Sequence, residues 1–180
     1  MLIDYAFHYK HVSRFILLHQ SAHIRNTYMI PTVDKVILFF SIRHWENLED
    51  VSLYNYYYLF RFFYGKKAYI SKYKVLFSLR KYYHSFDIKI FFTARDVFYP
   101  IAFFLAELNP LLVPEYVEFV TYTHNSGIFI IRIHDLTLFT DKKTNLGLFN
   151  LRHSLNMKFF IAGGEWTAQL SLLKSFRLNF

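Results

Sequence analysis

The chain is expected to fold as a single antiparallel α+β domain spanning residues 1–180, a mixed and mostly antiparallel sheet with helices packed on it. Three observations predict this. Apolar residues recur at helical spacing near the start, in the middle and at the end of the chain. Short β-branched and aromatic runs separate them, and these runs are joined by hairpin-like turns rather than by a regular βαβα alternation. At 180 residues there is enough chain to bury roughly two thirds of its unfolded surface.

The first element is a helix from Ile3 to Gln20, in which Tyr5, Val12, Phe15 and Ile16 form the expected inward stripe and Lys10 and Arg14 lie off it. After a loop from Ser21 to Pro31, Val36-Ile-Leu-Phe-Phe40 is β-branched and aromatic enough for a buried strand. From Glu46 to Tyr64, Leu48, Val51, Tyr54, Tyr58, Leu59, Phe62 and Phe63 suit a second helix. Glu46, Glu49 and Asp50 stand at its positive end and Arg61 near its negative end, and Gly65 supplies the stop. Lys67 to Ser71 and Asp87 to Thr93 read as strands joined by a basic loop. Asp96 is placed to cap a helix running to Leu108, strained by Pro100 in its first turns and ended by Asn109-Pro110 and Val113-Pro114. Strands then follow at Tyr116 to Tyr122, Ile128 to His134 and Leu136 to Phe139, the first two joined by a turn at His124 to Gly127. A polar loop from Thr140 to Asn145 leads to a last strand, Met157 to Ala162, then the Gly163-Gly164 turn and a helix from Glu165 to about Phe176.

Charge is the feature with functional content. Between Arg61 and Phe86 the chain carries Arg61, Lys66, Lys67, Lys72, Lys74, Arg80 and Lys81 with no Asp or Glu, so seven positive charges of a net +8 fall in one stretch. Tyr64, Tyr69, Tyr73, Tyr82 and Tyr83 are interleaved with them. Uncompensated cations beside flat aromatic rings suit a polyanion with unpaired bases, since each phosphate neutralised releases counterions and each ring offers a stacking face. A passive solvated face is the competing reading of any charge run.

Other chemistry is poorly served. With no cysteine, disulfides and thiolate metal sites are excluded. His19 and His23 are four residues apart, as two helical metal ligands would be, but no third ligand accompanies them. Gly65-Lys66-Lys67 lacks the upstream glycine of a phosphate loop, and no Gly-x-Ser-x-Gly occurs. No cofactor, metal or catalytic residue is expected. The longest stretch free of Asp, Glu, Lys and Arg, Phe119 to Ile131, is too short to span a bilayer and contains His124, Asn125 and Gly127, so no membrane span is expected. The acid at Asp4 and the lack of a basic, Arg- and Ser-rich leader argue against a secretory or transit peptide. The 22 Phe and 15 Tyr against 5 Gly and 4 Pro, with plentiful Ile, Asn and Lys, are the residues of A+T-rich codons and point to an organelle genome, or else to an A+T-rich bacterial or parasite one. A protein working in an organelle would then be made there or arrive already processed.

Several segments, in order, resemble the large-subunit ribosomal protein L-five family in a divergent mitochondrial form. His8-Tyr9-Lys10-His11-Val12 is similar to that family's opening Tyr-Lys-x-Val, and Met29-Ile-Pro-Thr-Val-Asp-Lys-Val-Ile-Leu38 to its Val-Pro-x-Ile-x-Lys-Ile-Val-Leu. Tyr64-Gly-Lys-Lys-Ala-Tyr-Ile-Ser-Lys-Tyr-Lys74 resembles its Gly-Gln-Lys-Pro strand and Thr-Arg-Ala-Lys-Lys loop, Ser78-Leu-Arg-Lys81 its Lys-Leu-Arg-Glu-Gly, and Asp87-Ile-Lys-Ile-Phe91 its Cys-Lys-Val-Thr-Leu. Met157-Lys-Phe-Phe-Ile-Ala162 and Ala168-Gln-Leu-Ser-Leu-Leu-Lys174 are similar to its terminal strand and helix.

The resemblance implies an antiparallel α+β fold and a non-enzymatic role in the central protuberance of a mitochondrial large ribosomal subunit. Implied partners are large-subunit rRNA, 5S rRNA, P-site tRNA, neighbouring large-subunit proteins and a small-subunit head protein. It implies Arg61, Lys66, Lys67, Lys72 and Lys89 as rRNA-binding residues and Lys74, Arg80, Lys81 and Tyr82 as a tRNA-facing loop. The family's Leu-Arg-Gly is here Phe92-Thr93-Ala94, the basic loop is about two residues shorter, and the Arg-Gly-rich bridge segment is replaced by the cation-free Tyr116-Val-Glu-Phe-Val-Thr-Tyr122, departures that bear on the bridge and 5S rRNA contacts. Outside that family, the residues admit a small metal-dependent nucleic-acid enzyme using Asp87 or Asp96, or a free-standing RNA-binding regulator.

Overall fold

The computed structural model describes residues 5–20, 29–43, 50–78, 81–103, 117–122, 127–134, 154–176 and 178. Leu136 to Phe139, the loop from Thr140 to Asn145, the helix beyond Phe103, Glu46 to Glu49 and the turn residues His124 to Ser126 lie outside them. The fold is mixed α+β. In chain order it has α1 (Tyr5–His8), a π turn (Tyr9–Ser13), α2 (Arg14–Gln20), β1 (Thr32–Arg43), α3 (Asp50–Tyr64), β2 (Tyr69–Ser78) and β3 (Lys81–Thr93). A 3-10 turn (Ala94–Val97), α4 (Phe98–Phe103), β4 (Val117–Tyr122), β5 (Ile128–Ile133), β6 (Leu155–Ala162) and α5 (Trp166–Ser175) complete it. Six strands are hydrogen-bonded in the order β2-β3-β1-β6-β5-β4. β2 and β3 are antiparallel, and cross-strand partners show the same for β5 with β6 (Gly127 with Ile161, Arg132 with Asn156) and for β1 with β6 (Lys35 with Phe160, Phe39 with Asn156). No helix among the described residues is long and apolar enough to cross a membrane.

The residues cluster into two compact units: 1–36, 92–131 and 157–180 in the first, 37–91 and 132–156 in the second. In the first unit the N-terminal helical run turns a different face inward from the one its spacing suggests. Val12, Phe15 and Ile16 are exposed, while Ser13 and Leu17 are fully buried. Two causes combine. The π turn adds a residue to one turn and so shifts the phase of the residues after it. Ser13 is small and finds polar partners inside, accepting a hydrogen bond from Ser175 Oγ at 2.8 Å and lying 3.2 Å from His8 Nδ1.

Tyr9 completes this seam, its ring lying 5.7 Å from Phe98 and 6.4 Å from Phe176 while its hydroxyl donates to the Pro31 carbonyl at 3.1 Å. Burial raises the Tyr9 pKa above its ordinary value, and the nearby Arg14 charge pulls the other way. The folded state therefore holds this proton more tightly than the unfolded chain does. That contribution to stability is complete below about pH 10 and is lost as pH rises through the raised folded value. Tyr9→Phe is expected to cost about 1 kcal/mol at neutral pH and to make the remaining stability less sensitive to alkali above about pH 10, read by urea denaturation at both pH values.

Asp96 lies two residues ahead of α4. It sits inside the 3-10 turn, and the residue ahead of that turn, Thr93, is extended and makes no side-chain cap. Three consecutive apolar or aromatic residues, Val97 to Tyr99, lead the chain into the helix. Pro100 is the third residue of α4, where a missing N–H forfeits no intrahelical bond. Elsewhere in the unit Gly127 (φ +60°), Gly163 (φ +75°) and Gly164 (φ +67°) take left-handed backbone. Gln169 Nε2 donates to the Gly163 carbonyl at 3.0 Å, and Phe129 stacks on Trp166 at 4.7 Å.

In the second unit α3 packs through Tyr56, Leu59, Phe60 and Tyr64, all buried, and the Phe40 ring of β1 lies 4.5 Å from Tyr56 and 4.9 Å from Phe60. The expected stripe is right at Leu59 but not at Tyr54 and Tyr58, which are 61% and 55% exposed. Six of the seven residues from Tyr54 to Phe60 are aromatic or aliphatic, so two adjacent stripes fit the helical period equally well. The one that meets Phe40 is buried. Gly65 ends the helix as expected, with φ +62° and its N–H on the Arg61 carbonyl at 2.9 Å.

Candidate nucleic-acid interface

The basic segment is a long hairpin, not two short strands and a loop. β2 continues to Ser78 and β3 begins at Lys81, so of the residues assigned to a tRNA-facing loop only Arg80, outside the described residues, lies between the strands. Lys74 is in β2 opposite His84, Tyr82 is in β3 opposite Leu76, and Lys81 is paired with Ser78. The reason lies in composition. Tyr73 to Phe77 and Tyr82 to Phe86 contain no Gly or Pro and are rich in aromatic and β-branched residues, which favour paired strands over an open loop. The register slips by one residue between Leu76 and Ser78, a bulge close to the turn.

The second unit presents these cations along one continuous piece of chain. Arg61 is exposed at the end of α3, Gly65 turns the backbone, Lys66 is half-buried, Lys67 is exposed, and Ala68 is buried as β2 starts. Lys72 is exposed, with its ammonium 5.7 Å from the centroid of the Phe86 ring on the partner strand, at cation–π range. Tyr69 on the same strand is exposed and packs against Phe91 at 5.6 Å. With Tyr54 and Tyr58 exposed on α3, the unit offers phenol rings as well as charge.

Lys89 does not belong with this set. Its ammonium is 2.8 Å from Asp87 Oδ2, while Ser41 donates to Asp87 Oδ1 at 2.8 Å. Asp87 is buried and the lysine offsets its charge, because a carboxylate withdrawn from water requires a partner. The same geometry engages both oxygens of a carboxylate that could otherwise be offered to a metal or substrate. Asp96 is exposed in the 3-10 turn of the first unit. Among the described residues no three His, Cys, Asp or Glu gather as a metal site would require. The side chain of His19 and all of His23 lie outside them.

One cationic feature was not read from the sequence. In the first unit Lys35 and Lys158 both approach the Phe160 ring, at 5.8 Å and 5.0 Å from its centroid. Lys158 and Phe160 are two apart and share a strand face, which was legible, but Lys35 joins them only through the pairing of β1 with β6. No protein-family model matches the chain, and no curated protein matches it.

Proposed function

We propose that this chain is a non-catalytic structural constituent of the large subunit of a mitochondrial ribosome, holding rRNA at the central protuberance. In this reading Arg61, Lys66, Lys67 and Lys72 lie along the rRNA backbone, and the far end of the β2/β3 hairpin, with Lys74, Arg80, Lys81 and Tyr82, reaches toward P-site tRNA. The observation that carries the proposal is the run of cations from Arg61 through β2, which contains no acid and whose Arg61, Lys67 and Lys72 are exposed beside exposed tyrosines. The ordered sequence resemblance supports it, and so does the α+β fold, which is the class that resemblance implies.

The mechanism is scaffold chemistry. Ammonium and guanidinium groups replace condensed counterions, the tyrosine faces accept unstacked bases, and the rigid hairpin fixes the register of both. Asp87 and Lys89 pair with each other inside this surface and neutralise each other, so they contribute to the hairpin's geometry and not to its attraction for phosphate. Neighbouring large-subunit proteins and a small-subunit head protein would complete the surroundings, as would 5S rRNA where an organelle retains it. Sedimentation of organelle lysate tests the proposal: the tagged chain should co-migrate with large subunits and stay with them through a moderate salt wash. Migration as a free protein, or with messenger RNA alone, would exclude it.

A further inference from the structure

The N-terminal helical run leaves apolar surface uncovered in the first unit. Phe7 is 60% exposed, Phe15 62%, Val12 39% and Ile16 40%, and Phe7 lies 4.2 Å from the His11 ring one turn on. The opposite face, at Ser13 and Leu17, is committed to the core. Lys10 and Arg14 are exposed on the same run, and from Tyr5 to Val33 the sequence contains no Asp or Glu.

From this we infer that the helix lies against the surface of an anionic lipid bilayer. Phe7, Val12, Phe15 and Ile16 would enter the boundary between headgroups and acyl chains, while Lys10 and Arg14 reach up to lipid phosphates. Charge selects this occupant over a second copy of the chain, because the helical run carries Lys10 and Arg14 and no acid of its own, and two such helices laid face to face repel each other. Area selects it over a protein. Four partly exposed side chains offer on the order of 400 Å², about half of what each partner contributes to a standard interface. Attachment to a bilayer has no such threshold, since it grows with each apolar side chain inserted and each cation placed over anionic headgroups. Long cationic stems beside the apolar stripe also suit this boundary, where stem and charged head prefer different media. RNA gains nothing from Val12 and Ile16, which present no donor, acceptor or ring.

Flotation of the full chain with vesicles tests this, comparing phosphatidylcholine alone with phosphatidylcholine containing about one third phosphatidylglycerol. The chain should float with the anionic vesicles and far less with the neutral ones. Phe7→Ser with Phe15→Ser should reduce binding by about tenfold, and Lys10→Glu with Arg14→Glu should abolish it. Lys67→Ala with Lys72→Ala should leave it unchanged. The substituted side chains are exposed, and a far-UV circular dichroism spectrum matching wild type confirms folding. Phe15→Trp gives a second readout, a blue shift of the added emission on anionic vesicles only. Failure of the wild-type chain to float, undiminished binding by the serine variant, or loss of binding in the hairpin variant instead of the helix variants would each overturn the inference.

Discussion

Removing Arg61, Lys67 and Lys72 together, each by alanine, is expected to weaken binding to large-subunit rRNA by about a hundredfold near physiological salt. The slope of log K against log salt should fall by about 2 to 3, because each phosphate left without its cation takes roughly 0.7 to 0.9 from it. The three side chains are exposed, so the stability of the fold should hardly change. Lys89→Ala is the informative contrast. It deletes a cation from the same strand region, but one bound to buried Asp87. The salt slope should stay as it was, and stability should fall by on the order of 1–2 kcal/mol as a poorly solvated carboxylate is deprived of its partner. A titration series over salt with the wild type, the triple variant and Lys89→Ala separates charge that binds from charge that folds. An unchanged slope in the triple variant would refute the proposed interface.

Gly127→Ala should be the most damaging single methyl group in the described structure, costing about 3 kcal/mol or more in denaturant unfolding. Two effects add. The backbone at Gly127 has φ +60°, where an L side chain pays roughly 1–2 kcal/mol. A Cβ there would also collide with the carbonyl oxygen of Ile161 on β6. That atom belongs to a backbone bridged back to Gly127, whose own carbonyl accepts the Ile161 N–H at 2.8 Å. It cannot swing aside as a flexible side chain would, so the strands must part at the point where β5 begins. Gly65→Ala provides the control, since the left-handed backbone is the same there and a Cβ would meet nothing within 4 Å. It should cost about 1 kcal/mol. Equal losses at the two positions would show that backbone conformation alone is responsible.

Where the chain carries punctuation, its elements were legible. Gly65 closes α3, and Gly163-Gly164 separates β6 from α5 within a residue or two of the expected limits, because left-handed turns leave few alternatives to glycine. Helix faces were harder to read. A chain this rich in Phe and Tyr places apolar residues on every side of a helix, so periodicity cannot choose the buried one. The choice between Tyr54/Tyr58 and Tyr56/Phe60 was made by what β1 presents opposite, and that between Phe15 and Ser13 by a π turn and a serine on α5. Of the candidate site, the cationic segment was visible as sequence, but the extent of the hairpin was not, since its tyrosines suit a loop that stacks bases as well as a strand. The neutralisation of Lys89 could have been read: Asp87 and Lys89 are two apart in a strand and must share a face.

The first unit is assembled from residues 1–36, 92–131 and 157–180, and Tyr9 is packed against Phe176 near the other end of the chain. A nascent polypeptide emerging from N- to C-terminus therefore holds this helical run without its landing place until residues 175 and 176 have been translated. Ser13 must wait for Ser175, and Tyr9 for Phe176. Products terminated before Ser175 would leave the Tyr9 ring and Ser13 without these partners, open to chaperones and proteases.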